Sequence, residues 1–255
     1  TYGGTAPSWL HRPPDMASIA LLTTDHLREL AGQAARWEAE GPEERYEITP
    51  PDLFCQTLMA RPSWPFPVLE GVIHAPTLRP DGSVLDQPGY DESTGLFYDP
   101  GHTSFPPISA APDIFEANCA LNALKDALCD FLFVHDYDLS AALAAALSMA
   151  CRFAVMGCVP LFAVTAPVRG SGKSYLVDTL SIIGTGRSAP RWPQVMDPDE
   201  ERKRLLAVAL AGYSAIHIDN VSRPLGSPAL DLALTSSSFS DRILGQTASV
   251  EAPLN

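Results

Sequence analysis

The sequence predicts an α/β fold whose core is a parallel sheet covered by helices on both faces, and three observations predict it. The first is the run APVRGSGKS at 166–174, set between a strand-like stretch (LFAVT, 161–165) and a helix-like one (YLVDTLSII, 175–183). The second is SAIHIDN at 214–220, where four of the five residues before Asp219 are apolar or small and Ile216 and Ile218 are β-branched. That is the composition of a buried parallel strand ending in a carboxylate. The third is the alternation of strand-like and helix-like segments from residue 161 to 220, which implies βα units.

Taken in order, residues 16–40 carry a helical pattern, with Leu27, Leu30, Ala31, Ala34 and Trp37 at helix spacing, Asp25 placed to cap its start and Gly41-Pro42 to close it. A second helix is expected over 48–61, begun by Pro51 and stopped before Pro62. Residues 62–112 are rich in Pro and Gly, with short β-like pieces VLEGVIHAP, TLR and LFYD separated by the turns PDGS and DESTG, so a small hairpin-rich α+β module is expected over 1–112. From 113 helix periodicity returns, with Ile114, Ala117, Leu121, Leu124 and Leu128 on one stripe. The helix at 139–157 is apolar nearly all round, which predicts burial between layers. After the glycine-rich run come a helix at 175–183, a short strand near 191–195, an acidic-then-basic helix at 197–212 and the acidic strand. The second domain is therefore expected at 113–255, with its sheet incomplete at the C-terminal side, and a chain that begins with Thr1 and ends at Asn255 reads as a fragment.

Composition limits the partners. Of 255 residues, 46% are hydrophobic and 18% charged, the balance of a globular chain. The formal net charge is −13, shared as −9 over residues 1–110 and −4 over 111–255, so neither half offers the clustered Lys and Arg that coat DNA, and any nucleic-acid contact must be local. Five cysteines, Cys55, Cys119, Cys129, Cys151 and Cys158, lack C-x-x-C spacing and read as buried thiols of a cytoplasmic protein rather than a disulfide frame or zinc site. Six scattered histidines predict no structural metal, and Arg152 and Pro160 break the most apolar stretch (139–168) too early for a membrane span.

The run at 166–174 reads as a phosphate-binding P-loop. Glycines let successive backbone N–H groups curl around phosphate oxygens, a lysine reaches the outer phosphates, and a hydroxyl holds the accompanying magnesium. Gly170, Gly172, Lys173 and Ser174 fit those parts, and the binding segment is Pro167, Val168, Arg169, Gly170, Ser171, Gly172, Lys173, Ser174 and Tyr175. Pro167 stands where the pattern has its first glycine, which removes one N–H from the loop entry. Asp219, 45 residues after Ser174, is the acid that a nucleotide site needs from a neighbouring strand.

The order of these pieces resembles the replication ATPases of phages, plasmids and integrated elements, DNA primase/helicase proteins with an AAA+-like or superfamily-3-like motor. The stretches that carry the resemblance are PPDLFCQTLMARPSWPFPVLEGVIHAPTLRPDGSVLDQPGYDESTGLFYDP, VPLFAVTAPVRGSGKSYLVDTL, DEERKRLLAVALAGYSAIHIDNV and DRILGQT, between residues 48 and 247. The resemblance implies an AAA+-like P-loop NTPase with a three-layer parallel sheet core, ATP and magnesium as cofactors, DNA as partner and a ring of subunits. It also implies roles: Lys173 on the outer phosphates, Ser174 and Asp219 on the magnesium, and Asn220 at the γ-phosphate or the attacking water.

Two departures bear on turnover. Many such motors carry a glutamate after the metal-binding aspartate, whereas Asn220 cannot act as a base; Glu200 and Glu201 are the alternative acids. The strand that carries the polar γ-phosphate sensor would begin about where the sequence stops, so nucleotide binding is expected to exceed turnover. Arg242 is a candidate inter-subunit or DNA-facing group set against an ordinary ion pair, and Trp64, Trp192 and Tyr90 are candidate base-stacking groups set against core or loop anchors. A non-hydrolytic nucleotide-gated scaffold and a P-loop kinase of a nucleotide or small molecule share the same phosphate cradle, although no arginine-rich lid stands between Ser174 and Asp219.

Overall fold

The computed structural model describes residues 16–109, 111–155, 157–242 and 249–254. They form two compact units, one of residues 20–68 and one of residues 16–19 with the described residues from 69 onward. The division thus falls at 68–69 rather than at the expected 112. The reason is packing: Thr77 Oγ1 donates to the Ala150 carbonyl at 2.7 Å, and Phe153 lies against the cluster of Ile73, Leu85, Leu96 and Tyr98. These contacts tie the hairpins to the helical part.

In the smaller unit, helix α1 spans Thr24–Ala34 and helix α2 spans Asp52–Met59. Thr23, not Asp25, caps α1, its hydroxyl accepting the His26 N–H at 3.2 Å, while Asp25 sits in the first turn where the helix dipole favours it. The helix ends at Ala34 because strand β1 (Glu38–Glu40) turns at Gly41-Pro42 into antiparallel β2 (Arg45–Glu47). Trp37 leaves the helix and caps it from the side, its indole N–H donating to the Ala31 carbonyl at 2.9 Å and its ring meeting Phe54 edge-on. Trp64 stacks on Phe66 with ring centres 5.8 Å apart, an anchor within its loop.

The larger unit opens with β3 (Gly71–Ile73), β4 (Thr77–Leu78), β5 (Val84–Leu85), β6 (Gly89–Asp91) and β7 (Leu96–Tyr98). The turns PDGS and DESTG join β4 to β5 and β6 to β7 as antiparallel hairpins, and β3 runs parallel to β7. Helix α3 (Ile114–Ala127) is capped by a reciprocal Asp113–Glu116 box. Its expected stripe is split: Leu124 packs toward the core, while Ile114 and Phe115 are exposed. Helix α4 (Asp136–Ala150) buries Ala142, Leu143, Ala145 and Ala146 against α5 (Lys173–Thr185), yet leaves Leu147 half exposed, so it is covered on one face only. The two helices approach closely at Gly184, where a Cβ would lie 2.7 Å from that of Met149.

Strand β8 (Arg191–Pro193), helix α6 (Pro198–Leu210) and strand β9 (His217–Asp219) form a βαβ unit with β8 and β9 parallel. Helix α7 (Pro228–Thr235) and the antiparallel hairpin β10 (Ser238–Arg242) and β11 (Ser249–Pro253) pack with α6 around Leu205, Leu206, Leu230, Phe239 and Ala252.

The structure differs from the expected three-layer parallel core in one decisive place. Residues 161–165 lie in no strand, and the sheets among the described residues have two or three strands each. Pro160 and Pro167, which carry no N–H, bracket the run and limit ladder formation at both ends. Val164 still packs on the α4–α5 cluster, and Leu161, Phe162, Val164 and Ile216 border a cavity of about 300 Å³ between the helical layers. Among the described residues no helix is long and apolar enough to cross a membrane.

Candidate nucleotide site

Residues 167–172 form an irregular loop that ends at the first residue of α5. Gly170 (φ +76°) and Gly172 (φ +83°) are both left-handed, the conformation that turns consecutive amides toward one side and that an L side chain resists. Gly172 is the N-cap of α5, its carbonyl accepting the Leu176 N–H at 2.8 Å, and the partial positive charge of the helix start faces the loop. Lys173 reaches back over the loop, with Nζ 3.5 Å from both the Val168 carbonyl and Ser171 Oγ. Those contacts are at the limit of hydrogen bonding, so the ammonium is held loosely. Pro167, Val168, Arg169 and Ser171 are exposed, and Tyr175 is exposed beside the Phe131 ring, centres 5.8 Å apart.

Ser174, one residue into α5, meets Asp219 at the end of β9. Its hydroxyl lies 3.3 Å and 3.2 Å from the two carboxylate oxygens. The loop and the acidic strand, 45 residues apart in sequence, are thereby brought together.

The β-register decides which other groups share this face. Arg191 pairs with His217, and Pro193 with Asp219, so Arg191, His217 and Asp219 point to the α5 side while Ile218 points to the α6–α7 core. Asp178, one helical turn after Ser174, completes the group: it takes a close ion pair from Arg191, whose other nitrogen stands 3.9 Å from Asp219 Oδ2. These neighbours keep the Arg191 guanidinium above its ordinary pKa, the Asp178 hydrogen bond most of all. Burial, and then the Arg191 charge, hold His217 below the usual histidine value. Nδ1 of His217 lies 3.9 Å from Asp178 Oδ1, and both atoms are buried without a hydrogen bond.

Asn220 follows with φ +52°, the only non-glycine residue with positive φ among those described, and its N–H donates to Asp219 Oδ1 at 2.8 Å. Gln194 steadies the same turn: its backbone N–H donates to the Asp219 carbonyl, its side-chain oxygen accepts from Ser222 and Arg223, and its amide donates to the Arg223 and Pro224 carbonyls. The other candidate acids lie elsewhere in the network. Glu200 accepts from Arg204 at 2.9 Å on the flank of α6, and Glu201 is buried in its first turn. Trp192 is half-buried on β8, on the strand face opposite Arg191, and Tyr90 lies on β6. Arg242 ends β10, and residues 243–248 of the DRILGQT stretch lie outside the described residues.

A hydroxyl and a carboxylate are hard oxygen donors of the kind magnesium takes, and adjacent ligands of an octahedral magnesium ion stand about 2.9 Å apart. The Ser174–Asp219 separations of 3.2 and 3.3 Å are near that spacing, so the pair fits one shared cation. Among the described residues no group of three or more His, Cys, Asp or Glu is gathered for a metal, so phosphate and water oxygens would complete the shell. The cavity near Leu161 is lined by neither the loop nor Asp219 and is apolar, so it is separate from this site.

Sequence reasoning missed Asp178, Arg191, His217 and Gln194. The four-residue spacing from Ser174 to Asp178 on a helix and the two-residue spacing from His217 to Asp219 on a strand were readable signals. Arg191 required the register. Compared with known proteins, the chain matches no family model, no curated protein and no solved structure.

Proposed function

We propose that the chain binds magnesium-ATP at the loop 167–175 and belongs to an ATP-dependent DNA replication motor of the helicase type. The observation that carries the nucleotide part is the meeting of Ser174 with Asp219 at the N-terminus of α5. In this reading Gly170, Ser171, Gly172 and Lys173 supply N–H donors to the phosphates, and Lys173 adds a point charge at their outer end. Magnesium, when bound between Ser174 and Asp219, supplies charge neutralisation at the β- and γ-phosphates. Asn220 holds Asp219 through its N–H and offers a side-chain amide that can orient water but not deprotonate it.

The motor, its ring assembly and its DNA rest on the resemblance in residue order. The acidic net charge of −13 then requires that DNA be met by a local group of side chains or through the assembly. Of the free thiols only Cys55 is buried while Cys119, Cys129 and Cys158 are exposed, contrary to the expected burial, and unpaired thiols support the reading of a reducing, cytoplasmic setting. A second reading, a nucleotide-gated scaffold without turnover, is favoured by Asn220 in place of an acid.

The test is a titration with a fluorescent ATP analogue, wild type against Lys173→Ala, followed by turnover with and without single-stranded DNA. Lys173 makes only 3.5 Å contacts, so the variant keeps its fold, while loss of a charged hydrogen bond to phosphate, about 1.5–3 kcal/mol, weakens binding roughly ten- to a hundred-fold. Unchanged affinity in the variant sinks the assignment. DNA-stimulated turnover supports the motor, binding without turnover the scaffold, and phosphorylation of an added nucleotide or metabolite the kinase alternative.

A further inference from the structure

The carboxylate of Asp219 is shared by Ser174 at 3.2 Å, by the Asn220 N–H at 2.8 Å and by Arg191 at 3.9 Å. Ser174 and Asn220 are neutral donors; Arg191 is the cation. It is anchored from the opposite side by Asp178, whose second oxygen is buried without a hydrogen bond and therefore has unused acceptor capacity. The Arg191 side chain is 40% exposed, so the guanidinium is not locked in place by packing. One guanidinium thus stands between two carboxylates, one of which belongs to the proposed cation site.

We propose that Arg191 is a built-in counter-cation: it neutralises Asp219 in the metal-free site and yields that carboxylate to magnesium, moving fully onto Asp178 when the metal-nucleotide arrives. The inference rests on the nucleotide reading and gives it a regulatory part, a threshold of free magnesium below which the site stays closed by its own arginine. A monovalent charge within about 5 Å of a divalent one is repulsive even in water-like surroundings, and that repulsion is large enough to shift metal affinity about tenfold. Arg191 is a positioning residue here, acting through the Asp219 carboxylate.

The experiment is a magnesium titration at fixed fluorescent ATP analogue, with binding rather than turnover as the readout, backed by manganese binding measured by electron paramagnetic resonance without nucleotide. Arg191→Gln removes the competing charge and lowers the magnesium midpoint about tenfold. Arg191→Lys keeps the charge and stays within a factor of about two of wild type. Asp178→Asn removes the alternative partner, leaves Arg191 to Asp219 and raises the midpoint, a change opposite in sign that a merely structural role for the cluster does not produce. Melting curves of all three variants establish that they fold. An Arg191→Gln midpoint equal to or above that of wild type overturns the inference while the nucleotide reading stands. A wild-type protein that binds no analogue at any magnesium concentration removes both.

Discussion

Replacing Gly172 by alanine isolates the backbone contribution of the loop. Gly172 sits at φ +83°, ψ 8°, as the N-cap of α5, and a Cβ built there meets only the edge of Phe131 at 3.9 Å, an ordinary contact. Sterics with neighbours therefore add nothing, and the cost is that of an L-residue in the left-handed region, about 1–2 kcal/mol. The loop can keep its shape and lose that amount of stability, which for a chain of this size lowers the melting temperature by about 2–8 °C. Alternatively it relaxes, the amides turn away, and the same energy is lost from nucleotide binding, up to roughly thirty-fold in affinity. Differential scanning calorimetry and analogue titration on one preparation measure both parts. Gly82→Ala is the control, because Gly82 has φ +84° and equally empty surroundings in the PDGS turn, so it should lose stability and keep affinity. A Gly172→Ala protein identical to wild type in both measurements refutes the reasoning, as does a control that loses affinity equally.

Other perturbations test the scaffold. Gly184→Ala places a Cβ 2.7 Å from that of Met149 and 2.9 Å from the Ala146 carbonyl, so α4 and α5 must separate; a loss of about 1–3 kcal/mol is expected, and an unchanged melting temperature contradicts the packing described. Asp91 accepts from Arg79, Ser93 and Thr94, and these bonds, Arg79 first, hold its carboxyl well below its ordinary value. Because the folded pKa is depressed, its stabilisation is complete above the unfolded value near 3.8 and is lost only as pH falls below it, so Asp91→Asn should flatten the acid limb of stability against pH without a new slope at neutral pH. His74 is kept below its ordinary value by burial, partly offset by its bond to the Asp99 carbonyl. The unfolded chain then takes up the proton first: stability is complete above pH about 6.5 and declines below it, a decline that His74→Gln should reduce when melting temperatures at pH 7.5 and 5.5 are compared.

What was legible in the sequence was local. Glycines at 170 and 172 followed by an apolar helix specify a left-handed loop entering α5, and two β-branched residues ahead of Asp219 specify a strand with a terminal acid. The helices at 52–59 and 198–210 follow from Pro51 and from Asp197-Pro198. Helix α7 carried the same signal, Ser227 before Pro228, and its cap bond from the Leu230 N–H at 3.0 Å confirms the rule although the helix was not anticipated. What was not legible depends on which segments find one another. LFAVT has strand composition, but composition does not supply a partner, and the run packs by Val164 on helices instead of entering a ladder. Arg191 is unremarkable in sequence and gains its place only because β8 and β9 pair in the register that sets it beside His217, two residues from Asp219.

The residue after Asp219 shows how backbone geometry selects chemistry. The chain leaves β9 through φ +52°, a turn that Asn adopts at several times the frequency of most side chains and that would cost a glutamate about 1–2 kcal/mol. That turn aims the Asn220 N–H at Asp219 Oδ1, and Gln194 locks the following residues with four further hydrogen bonds. The segment is thus organised to fix the direction of one carboxylate rather than to place a second acid beside it. On the nucleotide reading proposed above, a base for water activation would have to come from another segment, because an amide at Asn220 cannot take a proton at neutral pH. Magnesium-dependent binding with slow turnover is therefore expected on the same reading, and fast turnover by Asn220→Ala as well as by the wild type would contradict the part given to this turn.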